Sequence, residues 1–191
     1  MGRSEFLYSR FISHFRHEPT SCQDSMLRTV ADFISSDDDI MIVNGYAGTG
    51  KTTAVSAVIA AMTEFKTKCV LLAPTGRSAK VLSSYAGHPA YTIHKHIYRQ
   101  KSVGGDGFGQ FTLAPNKDKE TLFIVDEVSL ISIEAGQQQS TTSFGTGNLL
   151  EDLVSFVRSG VECKVILIGD SAQLPPIGLD ASPALSRDYM A

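Results

Sequence analysis

The residues with the most evident chemistry lie at positions 45–52, which read GYAGTGKT and fit the pattern G-x-x-x-x-G-K-[ST] without a mismatch. Glycines let the backbone curl so that successive N–H groups point at phosphate oxygens. Lys51 would bring a positive charge to the β- and γ-phosphates, and Thr52 would offer a hydroxyl ligand to Mg²⁺. The stretch therefore predicts a loop that binds a nucleoside triphosphate. The predicted nucleotide contacts are Gly45, Ala47, Gly48, Thr49, Gly50, Lys51, Thr52 and Thr53.

Two other groups of polar residues follow apolar runs in the same way. Asp126 and Glu127 come directly after LFIV, and Asp170 and Gln173 follow VILIG. Ligands bind at the carboxyl ends of strands in open α/β sheets, so we expect these side chains at the same edge as the loop. Asp126 would hold Mg²⁺, Glu127 would orient or deprotonate the attacking water, and Gln173 would contact the γ-phosphate. Taken singly, these groups also fit plainer structures, namely acids that cap a helix and a turn closed by two prolines.

The elements that must position these residues follow from the hydrophobic pattern. Short apolar runs without alternation predict buried parallel strands at 40–45, 68–73, 121–127 and 163–170. Apolar residues at helical spacing predict helices at 52–65, 76–87 and 148–160. Strands that alternate with helices pair in parallel through right-handed crossovers. The predicted fold class is α/β, a three-layer domain with a mainly parallel sheet.

Shorter elements are predicted around this framework. One helix is expected over 5–16 and a second begins after Thr20, which can cap it in a capping box with Gln23. Residues 91–100 predict a short helix, and the glycine-rich segment 101–120 predicts an exposed hairpin or loop. The polar segment 131–147 predicts a loop.

The bulk composition bounds the class of function. The net charge of −3 over 191 residues is unlike that of a globally basic nucleic-acid binder, although a local basic groove remains compatible with it. No apolar run approaches the roughly 20 residues that span a bilayer, so no membrane partner is expected. The three cysteines are far apart, and we expect Cys69 and Cys163 to be buried, reduced thiols. A cytoplasmic location is the resulting expectation.

Five stretches, taken in order, resemble a known family. GYAGTGKTT, LAPTGRSAKVLS, YTIHKHIY, FIVDEVSLIS and ILIGDSAQLPPIG are similar to the motifs of superfamily 1B DNA helicases of the RecD-like type, the relatives of the exonuclease V alpha subunit. The resemblance covers about residues 20–178 and corresponds to the first RecA-like domain. It implies ATP and Mg²⁺ as cofactors, single-stranded DNA as partner, movement 5′→3′ and a role in DNA repair and recombination.

The same resemblance implies roles for individual residues. Gln23 would read the adenine edge, which is compatible with its place in a capping box. Pro74 and Thr75 would contact a DNA backbone phosphate, assisted by Arg77 and Lys80, for which a solvated helix face is the alternative. Thr92 and His94 would lie near the nucleic acid, although a lone histidine is more often structural. Phe108 and Phe111 would stack on bases from a hairpin inserted at about 101–120, or else pack on the domain surface.

The resemblance also implies a division of the chain. We expect a helix in residues 1–18 and a RecA-like ATP-binding domain in residues 19–191. The family's second RecA-like domain, with its arginine finger, is expected to be absent from this sequence. Such an arginine is worth roughly 10³–10⁵ in rate in related enzymes. The chain alone is then expected to bind nucleotide, to hydrolyse it slowly and not to unwind DNA, as a fragment of a longer helicase would.

Two other classes of function fit part of the pattern. A small nucleotide kinase would share the loop, but it would need an arginine-rich lid, and residues 101–120 contain no arginine. A nucleotide-dependent binding module would share the loop without hydrolysis, but the intact Glu127 argues against it.

Overall fold

The computed structural model describes residues 2–15, 17–45, 48, 50–101, 110–131 and 143–170. Its helices are Arg3–Ser13 (α1), Ser21–Ser35 (α2), Lys51–Glu64 (α3), Gly76–Ala86 (α4), Ile93–Ile97 (α5) and Leu149–Arg158 (α6). Its strands are Ile40–Asn44 (β1), Cys69–Ala73 (β2), Ala90–Thr92 (β3), Tyr98–Gln100 (β4), Gln110–Leu113 (β5), Leu122–Val125 (β6), Ser143–Phe144 (β7) and Lys164–Gly169 (β8). A 3₁₀ turn, Val128–Leu130, follows β6.

The central sheet has five strands in the order β1-β8-β6-β2-β3, and every neighbouring pair is parallel. The four strands predicted from apolar runs are confirmed, and β3 is the strand of this central sheet that was not predicted. In the register, Val125 of β6 lies opposite both Leu72 of β2 and Leu167 of β8. Because the strands are parallel, all five carboxyl ends lie at one edge of the sheet.

Alternation along the buried strands divides the core between the two faces of the sheet. Leu122 and Ile124 of β6 belong to the cluster packed against α1, α2, α3 and α4. Phe123 and Val125 belong to the cluster packed against α5 and α6. Both faces of the strand are therefore covered, which explains the continuous apolar run in its sequence. The predicted three-layer α/β fold with a mainly parallel sheet is confirmed.

The prediction of a single helix over 91–100 was wrong. Residues 90–92 are strand β3, which pairs with Leu71–Ala73, and only Ile93–Ile97 is helical. The Thr92 hydroxyl accepts from the Lys95 amide and begins the helix, whose two isoleucines are both buried. The chain then becomes extended because Tyr98 pairs with Leu113 of β5. Tertiary pairing thus overrides the local helical pattern.

A small second sheet lies beside the core, with β5 between β4 and β7. β4 and β5 are antiparallel and form the inserted hairpin of the predicted fold class, while β5 and β7 are parallel. Phe111 of β5 stacks on Phe144 of β7 with ring centroids 4.6 Å apart. The predicted loop residues 102–109 and 132–142 lie outside the described residues.

Cys69 and Cys163 are buried and unpaired, as predicted. Burial raises the pKa of the Cys69 thiol to about 12, which keeps it protonated and unreactive at neutral pH. Across the described ranges, no helix has the length and apolar character needed to cross a membrane.

A buried polar pair joins the small sheet to α6. The Tyr98 hydroxyl donates to Asp152 Oδ2 at 2.6 Å, and the Thr146 amide and hydroxyl donate to the same carboxylate at 3.0 Å each. Tyr98 and Asp152 are 4% and 3% exposed. Burial and the hydrogen bond to Asp152 raise the pKa of the Tyr98 hydroxyl, which is therefore a protonated donor at neutral pH.

We expect Asp152→Ala to lower the free energy of unfolding by about 1–3 kcal/mol, because it leaves the buried Tyr98 hydroxyl without its acceptor. Urea unfolding followed by circular dichroism measures the change. Ser155→Ala, at an exposed position of the same helix, is the matched control and should be nearly neutral. Equal stability of the two variants would contradict the assigned role of the pair.

Candidate functional site

The carboxyl-terminal edge of the central sheet collects most of the predicted site residues. β1 leads to the glycine-rich loop, β8 to Asp170, and β6 to Asp126 and Glu127. On the other side of β6, β2 leads to Pro74 and Thr75, and β3 ends at Thr92. The strand order therefore places the predicted nucleotide contacts on one side of β6 and the predicted DNA contacts on the other.

The described residues of the loop are held in place by backbone hydrogen bonds and left-handed backbone. The Gly45 amide donates to the Gly169 carbonyl at 3.2 Å, so the loop starts in contact with the end of β8. Gly48 and Gly50 have φ of 78° and 74°, a conformation that side-chain-bearing residues rarely adopt. Gly50 caps α3, so the first amides of this helix face the loop. Tyr46, Ala47 and Thr49 lie outside the described residues.

Gln23 connects the start of α2 to this loop. The Gln23 Oε1 accepts from the backbone amide of Thr20 at 2.9 Å, and the backbone amide of Gln23 donates to Thr20 Oγ1 at 3.3 Å. These two bonds confirm the predicted capping box. Its Nε2 also donates to the Gly50 carbonyl at 3.2 Å. A Cβ on Gly50 would lie 2.2 Å from this Nε2 and would displace the Gln23 side chain, and the φ of 74° would strain any other residue there. The contact to the loop was not predicted, and the adenine contact of Gln23 stays a prediction.

Lys51 and Asp126 bring α3 and β6 into electrostatic contact. Lys51 begins α3, and its Nζ donates to the Gly45 carbonyl within the loop. Burial raises the pKa of the Asp126 carboxyl, while the Glu127 amide and the positive charge of Lys51 oppose the rise. The Asp126 Oδ1 accepts from that amide at 2.9 Å. The pKa of the half-buried Asp126 carboxyl is therefore lowered by the positive charge of the loop lysine, against the larger effect of burial.

Glu127 has an unusual backbone for a residue with a side chain. Its φ of 55° and ψ of 35° place it in the left-handed region just before the 3₁₀ turn. Such a conformation costs about 1–2 kcal/mol for a non-glycine residue, and these costs cluster at functional sites. Glu127 therefore holds its place after β6 at an energetic cost to the fold, as Lys66, Glu120 and Glu162 do elsewhere in the chain.

The donor set at this edge fits Mg²⁺. The Thr52 hydroxyl and the Asp126 carboxylate are hard oxygen ligands of the kind this cation prefers. A cation beside Asp126 would also offset the burial that raises the pKa of its carboxyl. The described residues contain no cluster of three or more histidine, cysteine or acidic side chains placed to hold a metal.

The predicted DNA contacts on the other half of the edge are partly engaged in local bonds. Thr75 caps α4, where its hydroxyl accepts from the Ser78 amide at 3.1 Å, and Thr92 caps α5. Pro74 is half-buried, whereas Thr75 and Arg77 are exposed at the start of α4. Their roles in binding DNA stay predictions.

His94 and Phe111 lie in an aromatic cluster. The His94 ring contacts Phe144 edge-on at 5.2 Å between centroids and Tyr98 at 5.7 Å, and burial lowers the pKa of the imidazole. Phe111 is partly buried and stacks on the same Phe144. This arrangement matches the structural alternatives for both residues. Phe108 and Gln173 lie outside the described residues, so their predicted roles stay predictions.

The comparisons with known proteins agree with this geometry. The AAA domain family matches residues 22–184. The ATP-dependent RecD2 DNA helicase of Deinococcus radiodurans is 31% identical over 138 residues, and the ATP-dependent DNA helicase dda of Enterobacteria phage T4 is 28% identical over 171 residues. These matches cover 72% and 83% of the chain but only 16% and 33% of the two relatives. The chain therefore spans less than half the length of either relative.

A solved structure was also matched, that of Bacteroides sp Pif1 in complex with ADP-AlF4. It has a TM-score of 0.48 and 21% sequence identity, and the match covers 86% of the chain and 35% of that protein.

We expect Asp126→Asn to raise the free energy of unfolding of the nucleotide-free chain at pH 7 by about 0.5–2 kcal/mol. Burial raises the pKa of Asp126, so its ionised form is disfavoured in the folded state relative to the unfolded chain. That penalty is present above the folded pKa and disappears as the pH falls through the folded pKa towards the ordinary value of 3.8. Thermal melting between pH 7 and pH 4 measures it.

The stabilisation by Asp126→Asn should therefore shrink as the solution is acidified. Asp37→Asn, at an exposed position, is the control and should leave stability unchanged at both pH values. A variant that is less stable than the wild type at pH 7 would show that the charge of the half-buried Asp126 does not destabilise the fold.

Proposed function

The chain belongs to the AAA-domain family and is a RecA-like domain of the superfamily 1B, RecD-like helicases, and we propose that it is the ATP-binding motor domain of a DNA helicase. The predicted resemblance is thereby confirmed. The observation that carries the proposal is that Lys51 Nζ donates to the Gly45 carbonyl inside the glycine-rich loop, at the edge where the Gly45 amide donates to the end of β8. The names of RecD2 and dda as ATP-dependent DNA helicases support it.

In the proposed mechanism, the chain's own residues bind the triphosphate and direct water. The loop amides and the first amides of α3 bind the phosphates, and Lys51 exchanges the Gly45 carbonyl for a phosphate oxygen. Mg²⁺ held by Thr52 and Asp126 would neutralise charge on the phosphates. Glu127 orients and deprotonates the attacking water, and Gln173 contacts the γ-phosphate. This assigns the loop to ATP binding and β6 to hydrolysis.

We propose that the strand-binding half of the sheet edge, meaning the half that binds single-stranded DNA, lies at the ends of β2 and β3. Thr75 and Thr92 contact the backbone of single-stranded DNA, assisted by Arg77. Asp126 links this half to the nucleotide site, because its amide donates to the Leu72 carbonyl at 3.0 Å, two residues before Pro74. A displacement of Asp126 on hydrolysis would therefore be transmitted to β2. Movement 5′→3′ is proposed from the family alone.

Full turnover is proposed to need a second RecA-like domain. That domain would supply an arginine that stabilises charge on the transferring phosphoryl group, a contribution of roughly 10³–10⁵ in related enzymes. The greater length of both helicase relatives supports this requirement. Without the second domain, the residues of this chain would bind ATP and Mg²⁺ but hydrolyse ATP slowly.

We expect Lys51→Ala to weaken binding of ATP with Mg²⁺ by roughly 10- to 100-fold, because it removes a charge-assisted hydrogen bond to phosphate. Glu127→Gln should instead leave ATP affinity nearly unchanged and lower turnover by about 10²–10⁴, the usual contribution of a general base. Isothermal titration calorimetry gives the affinities, and phosphate release with and without single-stranded DNA gives the rates.

Two exposed positions provide controls for this pair. Lys66 lies just past the C-terminal end of α3, and Glu120 lies just before β6, at the end of that strand away from Glu127. The control variants are Lys66→Ala and Glu120→Gln. Both should behave as wild type. Transfer of phosphate to a small acceptor, rather than to water, would overturn the helicase proposal in favour of a kinase.

Two variants separate the helix cap from the loop contact of Gln23. Thr20→Ala and Gln23→Ala should each lose about 1 kcal/mol of stability, because both break the capping box. We expect only Gln23→Ala to weaken ATP binding, since Thr20→Ala retains the Gln23 bond to Gly50. Calorimetric titration on both variants measures this, and equal ATP affinities would show that the loop contact is irrelevant to the nucleotide.

A further inference from the structure

We propose that the outer face of α4 docks an acidic protein segment that carries apolar side chains. This face, called the α4 ridge, consists of Arg77, Lys80, Val81, Ser84 and Tyr85, all of them exposed. A segment docked there would add a protein partner to the proposed motor function. Only Arg77 is shared with the residues proposed to contact DNA, and none is shared with the nucleotide site.

The five residues of the α4 ridge lie on one side of the helix because of their spacing. Their positions follow the pattern i, i+3, i+4, i+7 and i+8, which is the pattern of a single helical face. The other side of α4 contributes Ala79 and Leu82 to the buried residues and packs against α3, β2 and β3. The ridge is therefore the face of α4 that is turned away from the core.

Val81 and Tyr85 give the α4 ridge an apolar surface. They are 49% and 71% exposed, and Tyr85 has the largest exposed fraction among the large hydrophobic residues of the described chain. Side chains four residues apart are neighbours on a helix surface, so the two form one patch. The solvent side of a surface helix is normally polar. Adjacent apolar side chains on that side therefore indicate a contact surface, which a single exposed residue would not.

The charged residues of the α4 ridge are both positive. The sequence of α4, GRSAKVLSSYA, contains Arg77 and Lys80 but no acidic residue. Neither of these cations forms an ion pair in the part of the chain that the structure describes. Their charges are therefore available to a partner, and the surface that complements them is acidic.

Both ends of α4 are fixed, so the ridge has a preformed shape. The Thr75 cap begins the helix, and Gly87, with a φ of 62°, ends it by donating its amide to the Ser83 carbonyl at 3.1 Å. Near that end, Ser56 Oγ of α3 donates to the Tyr85 carbonyl at 3.3 Å. A surface held in this way loses little conformational entropy when a partner binds.

The combination of charge and apolar surface favours a protein segment over a nucleic-acid strand. A strand would contact the cations and could stack a base on Tyr85, but it would leave the aliphatic Val81 without a matching surface. An acidic segment with leucine or a similar side chain would cover both apolar residues while its carboxylates approach Arg77 and Lys80. The ridge spans about 12 Å of helix, which suits a short segment and a transient contact.

The test measures binding of a short fluorescent peptide of glutamate, alanine and leucine to the full chain by anisotropy. Val81→Ser combined with Tyr85→Ser should weaken binding roughly 5- to 30-fold, because it removes the apolar contact. Lys80→Glu should weaken binding at low salt and have less effect as salt is raised, because the charges are exposed. Val161→Ser and Lys117→Glu, at exposed positions outside α4, are the matched controls and should bind as wild type.

Two further peptides and one spectrum make the result specific to the ridge. A peptide with lysine in place of glutamate should not bind, and one with serine in place of leucine should bind more weakly. Amide chemical shifts that change in α4 on addition of the acidic peptide would locate it on the ridge. A merely structural defect of the variants would appear as altered amide shifts throughout the chain before any peptide is added.

Absence of binding to the wild-type chain, or wild-type affinity in both the serine double variant and Lys80→Glu, would overturn the proposed docking surface. Equal binding of the lysine peptide would overturn it as well. If the serine double variant weakened binding of a single-stranded oligothymidylate but not of the peptide, the ridge would be a nucleic-acid contact instead. Failure of the helicase proposal is distinguishable, because it would appear as a loss of ATP binding, which these ridge variants should leave unchanged.

Discussion

Parallel pairing of the five central strands is the constraint on which the site depends. A parallel strand can be reached only by a crossover that returns the chain to the opposite edge, so every strand of this sheet ends at the same edge. Residues that follow different strands, and that are far apart in sequence, therefore come together there. The loop after β1, the acids after β6 and the threonines at the ends of β2 and β3 lie at one edge of the sheet for this reason.

The strand order then gives β6 a central position. It pairs with β8 on the nucleotide side and with β2 on the strand-binding side. Asp126, just past its end, interacts electrostatically with Lys51 on one side and bonds through its amide to Leu72 on the other. Because both contacts belong to Asp126, a movement of this residue changes the nucleotide half and the strand-binding half of the edge together. The proposed coupling between ATP hydrolysis and the binding of single-stranded DNA would therefore act through these two contacts of Asp126.

Sequence reasoning succeeded where the determining interactions are local or where burial is complete. The apolar runs predicted β2, β6 and β8 because both faces of those strands are covered, and Thr20 and Gln23 predicted a cap across three residues. It failed at β3, whose three residues are held by pairing with β2 rather than by their own propensity. It also missed contacts between distant residues, such as Gln23 with Gly50 and Tyr98 with Asp152, which are 27 and 54 residues apart. The packing of His94 on Phe144 is of the same kind, since no local pattern specifies which way a ring turns.

The energetic cost of the site indicates what would stabilise it. Glu127 has a left-handed backbone, Asp126 is a carboxylate whose ionised form is disfavoured by burial, and Lys51 donates to a neutral carbonyl of its own loop. A phosphate oxygen is a better acceptor for Lys51 than that carbonyl, because it is charged. A cation beside Asp126 favours the ionised carboxylate, but an anion alone at the same place would oppose it. In the proposed site the two gains would therefore arise together only when triphosphate and Mg²⁺ enter as one complex, so the half-buried Asp126 would favour the metal-bound nucleotide over the free one.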